Sequence, residues 1–121
     1  MDNQDTKNLK EIIPSIIQLQ DDKSKLYGRS WCKYGEVSAF FNLARKYDRL
    51  ENIMKKALNE GTAILHSKES STANETFLDT VVDTAVYSLL WVGYIKENYP
   101  EEWKIFLKNN NLILEEKTHL S

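Results

Sequence analysis

Two segments of the sequence carry polar residues at helical spacing, and their charges are opposite. The first segment is basic and contains, four and three positions apart, Asn42, Lys46 and Arg49. The second segment is acidic and contains, four positions apart, Asp79, Asp83 and Tyr87. On helices, each set forms one stripe, and the two stripes could line a shared cleft. Such a cleft suits a phosphate-bearing ligand, because ammonium and guanidinium groups bind phosphate oxygens and paired carboxylates can hold a divalent ion.

The basic stripe has Arg45 and Asn52 at its edges, and its cations could grip a phosphate chain. The alternative is a solvated helix face held by pairs such as Arg45 with Asp48, because charged helix faces are common. Both interpretations stay open on the sequence alone.

The acidic stripe places its neighbours about 40° apart around the helix axis and about 6 Å apart along it. Adjacent carboxylates at that spacing can converge on one magnesium ion. Asp has a low helix propensity, and Asp79 and Asp83 are predicted to lie inside a helix rather than at its cap. Two like charges there lower stability unless a cation or a Lys/Arg partner compensates them. We therefore predict a functional role or a buried polar network for Asp79 and Asp83.

A loop ahead of the basic stripe alternates aromatic and basic residues, namely Tyr27, Arg29, Trp31, Lys33 and Tyr34. This composition can stack on a base and contact its phosphates, so Tyr27 and Arg29 join the candidate site. The alternative is that the aromatic rings fill the core. Cys32 is predicted to be a small, partly buried residue, and His66 and His119 to be surface residues.

The composition limits the class of protein. A chain of 121 residues supports one domain, here residues 1–121 with tails at about 1–8 and 110–121. A net charge of -2 excludes a general nucleic-acid binder, so any phosphate site must be local. The single cysteine excludes an internal disulfide and indicates a reducing, cytoplasmic setting. The longest strongly apolar stretch, 85–92, is too short to span a membrane, so no membrane partner is expected.

Apolar residues at helical spacing predict two helices in the first half of the chain. The first covers residues 5–26 and contains Pro14, which is predicted to open or kink it. The second runs from Glu36 to about Asn59, and Gly61 follows it as a C-terminal stop. The polar residues 62–73 then form a surface connection.

Two further helices are predicted in the second half. Thr72 and Glu75 form a capping-box pattern at the start of a third helix that runs to about Asn98. Pro100 begins a short fourth helix, which would dock on the core through Trp103, Phe106 and Leu107. The third helix is apolar nearly all round over 89–95, so it needs burial on both sides, within the chain or between subunits. The segment after Asn109 is either docked or an oligomer contact.

The motifs together resemble a known family, the phage and bacterial nucleotide modification associated domain 1. The resemblance covers about residues 23–94 and rests on the order of Tyr27-Gly28, then Asn42, Lys46 and Arg49-Leu50, then Asp79-Thr80, Asp83 and Tyr87. That family is similar to the all-α nucleotide pyrophosphatases typified by MazG and the dimeric dUTPases. The resemblance implies an all-α, four-helix, MazG-like bundle that forms a dimer or tetramer. It also implies a nucleotide cleft between helices, magnesium held by acidic residues, and a phage origin in the host cytoplasm.

The residues match the family's motifs unevenly. Lys46 and Arg49 match the basic motif, Tyr27 the loop motif, and Asp79, Asp83 and Tyr87 the acidic helix. The wider group of pyrophosphatases carries a Glu where this chain has Thr80, and its basic motif often begins with Asp where this chain has Arg45. The upstream pair of carboxylates, Asp48 and Glu51, flanks the basic stripe. A site with more cations and fewer carboxylates suits holding phosphates better than activating water on a metal.

Three functions remain open on the sequence, and no catalytic residue is assigned. The first is a nucleotide-binding protein of the pyrophosphatase type, with magnesium-dependent pyrophosphohydrolysis as its enzymatic form. The second is a phage sponge that sequesters a modified or signalling nucleotide without cleaving it, as an anti-defence protein. The third is a structural or interaction protein whose two stripes pair with each other across a helix interface.

Overall fold

The protein is all-α, as the sequence predicts. The computed structural model describes residues 2–61, 71–72 and 75–112. These residues form four α-helices, α1 (Gln4–Tyr27), α2 (Glu36–Glu60), α3 (Phe77–Asn98) and α4 (Pro100–Asn109). A single 3-10 turn, Ser30–Cys32, joins α1 to α2, and two short strands, β1 (Ser71–Thr72) and β2 (Glu75–Thr76), pair antiparallel before α3. His66, His119 and most of the predicted connection lie outside the described residues, as does the chain after 112.

The chain divides into two compact units, and the division falls within α3. The N-terminal unit is Met1–Ser88 and the C-terminal unit is Leu89–Ser121. The single domain expected from the length therefore stays a prediction. Within the described parts of the chain, no helix has both the length and the apolar content that crossing a membrane requires.

Helix α1 begins ten residues before its proline. Asn3 caps it, with Asn3 Oδ1 accepting a hydrogen bond from the Thr6 backbone N–H at 2.8 Å. The helix continues through Pro14 and ends at Tyr27, before Gly28 with φ of 59°. The prediction that Pro14 opens the helix is therefore wrong, because the Asn3 cap already supplies a helix start upstream.

Helix α2 has the predicted end and a different burial. Gly61 follows it in the left-handed conformation, and its N–H donates to Leu58 O at 3.2 Å. The buried residues of α2 are Ala39, Ile53 and Ala57. Several larger apolar residues of the predicted set are exposed, namely Val37, Phe40, Tyr47, Met54 and Leu58. The periodicity therefore identified the helix but did not identify which apolar face is covered.

Helix α3 begins later than predicted and has a different cap. Thr72 and Glu75 face each other in the strand pair, so the predicted capping box between them is wrong. The capping box is formed by Thr76 and Asp79 instead. The Asp79 N–H donates to Thr76 Oγ1 at 3.1 Å, and the Thr76 N–H donates to Asp79 Oδ2 at 2.9 Å. Both pairs, Thr72 with Glu75 and Thr76 with Asp79, have the spacing of a capping box. The first pair is part of the β1–β2 strand pair, so the second pair caps α3.

The C-terminal unit contains the second half of α3 and all of α4. Pro100 is the first residue of α4, with Glu101 and Glu102 in its first turn, which confirms the predicted start. Leu107 is buried, whereas Phe106 is exposed and stacks on Trp103 with ring centroids 5.4 Å apart. The prediction that Phe106 docks on the core is therefore wrong. In α3, Leu89 and Val92 are exposed. Burial of the apolar residues 89–95, within the chain or between subunits, therefore stays a prediction.

Candidate functional site

Three helices of the N-terminal unit meet at the carboxylate of Asp83. Lys23 Nζ of α1 lies 3.2 Å from Asp83 Oδ1, and Lys46 Nζ of α2 lies 3.1 Å from Asp83 Oδ2. The side chains of Lys46 and Asp83 are only 14% and 18% exposed, whereas that of Lys23 is 46% exposed. The predicted need of Asp83 for a basic partner is met twice, and one of the two lysines is accessible to solvent.

A second contact joins α2 and α3 about one turn away, toward the C-terminal end of α2 and the N-terminal end of α3. Arg49 Nε donates to Thr80 Oγ1 at 2.9 Å, and Thr80 Oγ1 donates to Thr76 O at 3.2 Å. Thr80 is fully buried. A hydroxyl can accept from a guanidinium without adding a charge, so Thr80 is a neutral partner for Arg49.

Asp79 lies in the first turn of α3, where its carboxylate closes the capping box. Oδ2 accepts hydrogen bonds from the backbone N–H and the hydroxyl of Thr76, both at 2.9 Å. These two bonds, with smaller contributions from the charges of Lys23 and Lys46, hold the pKa of the Asp79 carboxyl below its ordinary value of 3.8. The prediction that Asp79 sits inside the helix rather than at a cap is wrong, because α3 begins four residues later than the first capping pattern suggests.

The carboxylates do not fit a resident magnesium ion. Each oxygen of Asp83 faces an ammonium group, and Oδ2 of Asp79 already accepts two hydrogen bonds. Across 2–61, 71–72 and 75–112, no group of three or more His, Cys, Asp or Glu residues is placed to hold a metal. A divalent cation would have to displace two lysines from Asp83, which charge repulsion opposes.

The basic stripe is also connected to the loop that precedes α2. Asn42 Nδ2 donates to Trp31 O at 3.1 Å, and Arg45 Nη2 donates to Asn42 Oδ1 at 2.8 Å. Asn42 therefore ties α2 to the 3-10 turn, while the exposed Arg45 is held against its own helix.

In the loop between α1 and α2, the predicted aromatic rings and cations contact each other. The Arg29 guanidinium lies 5.9 Å from the Trp31 ring centroid, and Lys33 Nζ lies 5.5 Å from that of Tyr34. Tyr27 and Tyr34 are exposed and Trp31 is partly buried, so only Trp31 fits the alternative of a core-filling ring. Cys32 is partly buried, as predicted.

The predicted site residues are thus brought together only in part. We call the residues of these two contacts the polar network, namely Lys23, Lys46, Asp83, Arg49 and Thr80. Tyr87 and Tyr27 lie one turn beyond Asp83 and Lys23 on their helices. Arg29 makes its cation–π contact in the loop and Arg45 its bond to Asn42.

Lys23 is the contributor that the motifs missed. The apolar residues of α1 follow a spacing of three and four through Leu9, Ile12, Ile16, Leu19 and Leu26, and Lys23 occupies a position of that series. A lysine in an otherwise apolar helix stripe needs an anionic partner when it packs against a neighbour. That interruption is the signal that could have identified it.

Comparison with known proteins gives one informative match. The chain is 30% identical over 118 residues to the Gene 30 protein of Bacillus phage SP01, and the match covers 88% of this chain and 52% of that protein. The chain therefore spans about half the length of that relative, and the match supports a phage origin. No protein-family model matches the chain, and no solved structure does.

Proposed function

We propose that the N-terminal unit binds a phosphate-bearing nucleotide at the surface around Lys23, Lys46 and Asp83. One observation carries the proposal. Two ammonium groups from different helices converge within 3.2 Å of one carboxylate, and one of them is half exposed. A phosphate oxygen that approaches from solvent meets the half-exposed Lys23 first, and charge-assisted hydrogen bonds of this kind are the stronger ones in proteins.

Further residues of the unit would complete the nucleotide site. Tyr27, exposed and one turn from Lys23, offers a ring on which a base can stack. Arg29, Arg45 and Arg49 extend the positive surface. The exposed Asp79 carboxylate is a hydrogen-bond acceptor for ribose hydroxyls, and Tyr87 a hydroxyl donor. A homo-oligomer, dimer or tetramer, belongs to the same proposal.

Binding without cleavage is the form of this function that we favour. Pyrophosphohydrolysis with magnesium would require Asp83 to release both lysines before it could hold the ion. Retention of an intact nucleotide requires only that a phosphate share those lysines. The protein would then act in the host cytoplasm as a phage sponge for a modified or signalling nucleotide, which is an anti-defence role.

The experiment that tests this proposal is an incubation with defined nucleotides, followed by identification of what remains. The protein is mixed with nucleoside triphosphates, cyclic dinucleotides and ADP-ribose, with magnesium or with EDTA, and then heated to release bound ligand. We expect one class to be bound and recovered intact in both conditions. Release of pyrophosphate or a monophosphate only with magnesium would establish the hydrolase instead, and no bound nucleotide would contradict both forms.

A second candidate is a structural role, which the low exposure of Lys46 and Asp83 favours. In this account the network only fixes α1, α2 and α3 relative to each other. The Asp83→Asn variant separates the two. If the site binds phosphate, the variant is less stable but binds the nucleotide at least as tightly, because a competing anion has been removed. If the role is structural, stability falls and no nucleotide stabilises either protein.

A further inference from the structure

Helix α2 carries a second apolar face that its own unit leaves exposed. Residues on this face follow the alternating spacing of three and four that two-stranded coiled coils use. We call this face the outer seam of α2, and it consists of Val37, Phe40, Ala44, Tyr47, Glu51, Met54 and Leu58. Its five large apolar side chains are between 42% and 73% exposed.

The outer seam is distinct from the face that packs inside the unit. Ala39, Ile53 and Ala57 are the buried residues of α2. Each is followed directly by a seam residue, so the two faces are about 100° apart around the helix axis. The seam also continues sideways through Phe41, whose exposed ring makes an edge contact with Phe40 at 5.3 Å between centroids.

The area of this face reaches the lower limit for a specific interface between two copies. Phe40, Phe41 and Tyr47 are each half or more exposed, which amounts to roughly 350 Å² per copy if an aromatic side chain contributes about 200 Å². The aliphatic members raise this to roughly 500 Å² per copy. Two such faces bury about 1,000 Å² together, which is the lower limit for a specific interface.

The single charge in the seam determines the direction of pairing. In a parallel pair of identical helices, Glu51 would face Glu51 of the second copy, and like charges in an apolar seam destabilise it. In an antiparallel pair centred between positions 47 and 51, Glu51 faces a tyrosine hydroxyl that can donate to it. This register pairs Phe40 with Leu58, Ala44 with Met54 and Tyr47 with Glu51, so the small Ala44 lies opposite the larger Met54.

We infer that the outer seam of α2 is the docking surface for a second copy of this chain, packed antiparallel about a two-fold axis between Tyr47 and Glu51. Each contact then occurs twice, as two-fold symmetry requires. The inference rests on α2 alone and does not depend on nucleotide binding.

The oligomeric state tests the inference first. Sedimentation equilibrium of the full chain is expected to give a dimer, and Leu58→Lys to raise its dissociation constant ~100-fold, because a charge is placed in a desolvated seam. The matched control is Ile17→Lys, which changes an apolar residue of α1 that is also well exposed and should leave the dissociation constant unchanged. A wild-type monomer at all concentrations, or a dimer that Leu58→Lys leaves intact, would overturn the inference.

Disulfide trapping tests the direction without adding charge, and it remains informative if Leu58→Lys fails to fold. In a Cys32→Ser background, we expect a chain with Ala44→Cys to cross-link to a chain with Met54→Cys under mild oxidation. Ala44→Cys chains alone should not cross-link. Cross-linking of Ala44→Cys with itself would show a parallel pair and overturn the proposed arrangement.

Discussion

Asp83 connects three helices of the N-terminal unit. Its carboxylate is 18% exposed and carries an ion pair on each oxygen, one to α1 and one to α2. Removing one member of a buried pair leaves the remaining charges without compensation, which costs more than the pair contributes. In the proposed function, an incoming anion would compete with this carboxylate for the two ammonium groups.

The first prediction concerns Asp83→Asn. It is expected to lower the free energy of unfolding by about 1–3 kcal/mol, between the costs typical of exposed and fully buried pairs. Urea denaturation followed by circular dichroism measures this. The matched control is Asp21→Asn, which removes the exposed pair with Lys25 at 3.6 Å and should change stability by less than about 0.5 kcal/mol. Equal effects of the two substitutions would contradict the assigned importance of Asp83.

A second prediction concerns the pH dependence that Asp79 introduces. Its pKa is below 3.8 in the folded protein, so the unfolded state binds the proton more readily. The resulting stabilisation is present at pH values above the ordinary pKa and is lost as the pH falls through the folded-state pKa. Urea denaturation between about pH 2 and about pH 7 should show that the wild type is more stable than Asp79→Asn, and that this difference in stability shrinks only at the acid end. An advantage that is independent of pH would contradict the assigned cause.

The sequence predicted part of this site from local spacing. Lys46, Arg49 and Asp83 were identifiable because helical periodicity places residues of one stripe together. Lys23 was not, since its approach to a residue 60 positions later depends on how α1 packs against α3. The position of Asp79 was also predicted wrongly, because the start of α3 decides whether this carboxylate caps the helix or lies inside it.

The ends of helices α2 and α3 are set by individual capping residues. Two pairs at the start of α3 have capping-box spacing, and pairing of β1 with β2 removes the first from competition. At the end of α2, Gly61 adopts a φ of 69°, which residues with a side chain adopt only at a cost. The sequence predicted this second boundary correctly because glycine is the one residue that reaches that conformation freely.

The third prediction tests that boundary with Gly61→Ala. It is expected to destabilise the protein by about 1 kcal/mol through backbone strain alone, because a methyl group at this position meets no atom within 4 Å. The control is Gly93→Ala inside α3, which is equally open and has no positive φ. The control should be neutral or stabilising by up to about 1 kcal/mol. Thermal unfolding of both variants provides the comparison, and destabilisation by both substitutions would argue against conformational strain as the cause.

For the molecule as a whole, the all-α class followed from periodic apolar residues and few glycines. Coverage of the apolar faces could not be predicted in the same way, because periodicity shows which faces are apolar and not what packs on them. Val37 and Leu58 illustrate this, since both lie in a well-predicted helix and both are exposed. The match to a phage protein supports a phage origin, whereas nucleotide binding stays a proposal that rests on the N-terminal unit.

A net charge of -2 gives no long-range attraction for phosphates, so the proposed binding depends on the local cations. Under this proposal, substitution of the half-exposed Lys23 removes affinity directly. Lys23→Gln is expected to weaken nucleotide binding by ~10–100-fold, the loss of a charged hydrogen bond. Lys25→Gln, two positions away on α1 and paired with the exposed Asp21, is the matched control.

The most direct test of the central claim is a thermal-shift and calorimetric titration of the wild type with the nucleotide panel. The account predicts that one nucleotide class, at ~100 times its dissociation constant, adds about 2.7 kcal/mol of stability. It predicts further that Lys23→Gln loses this gain while Lys25→Gln keeps it. The account would be contradicted if no nucleotide stabilised the wild type, or if Lys23→Gln bound the nucleotide as tightly as the wild type does.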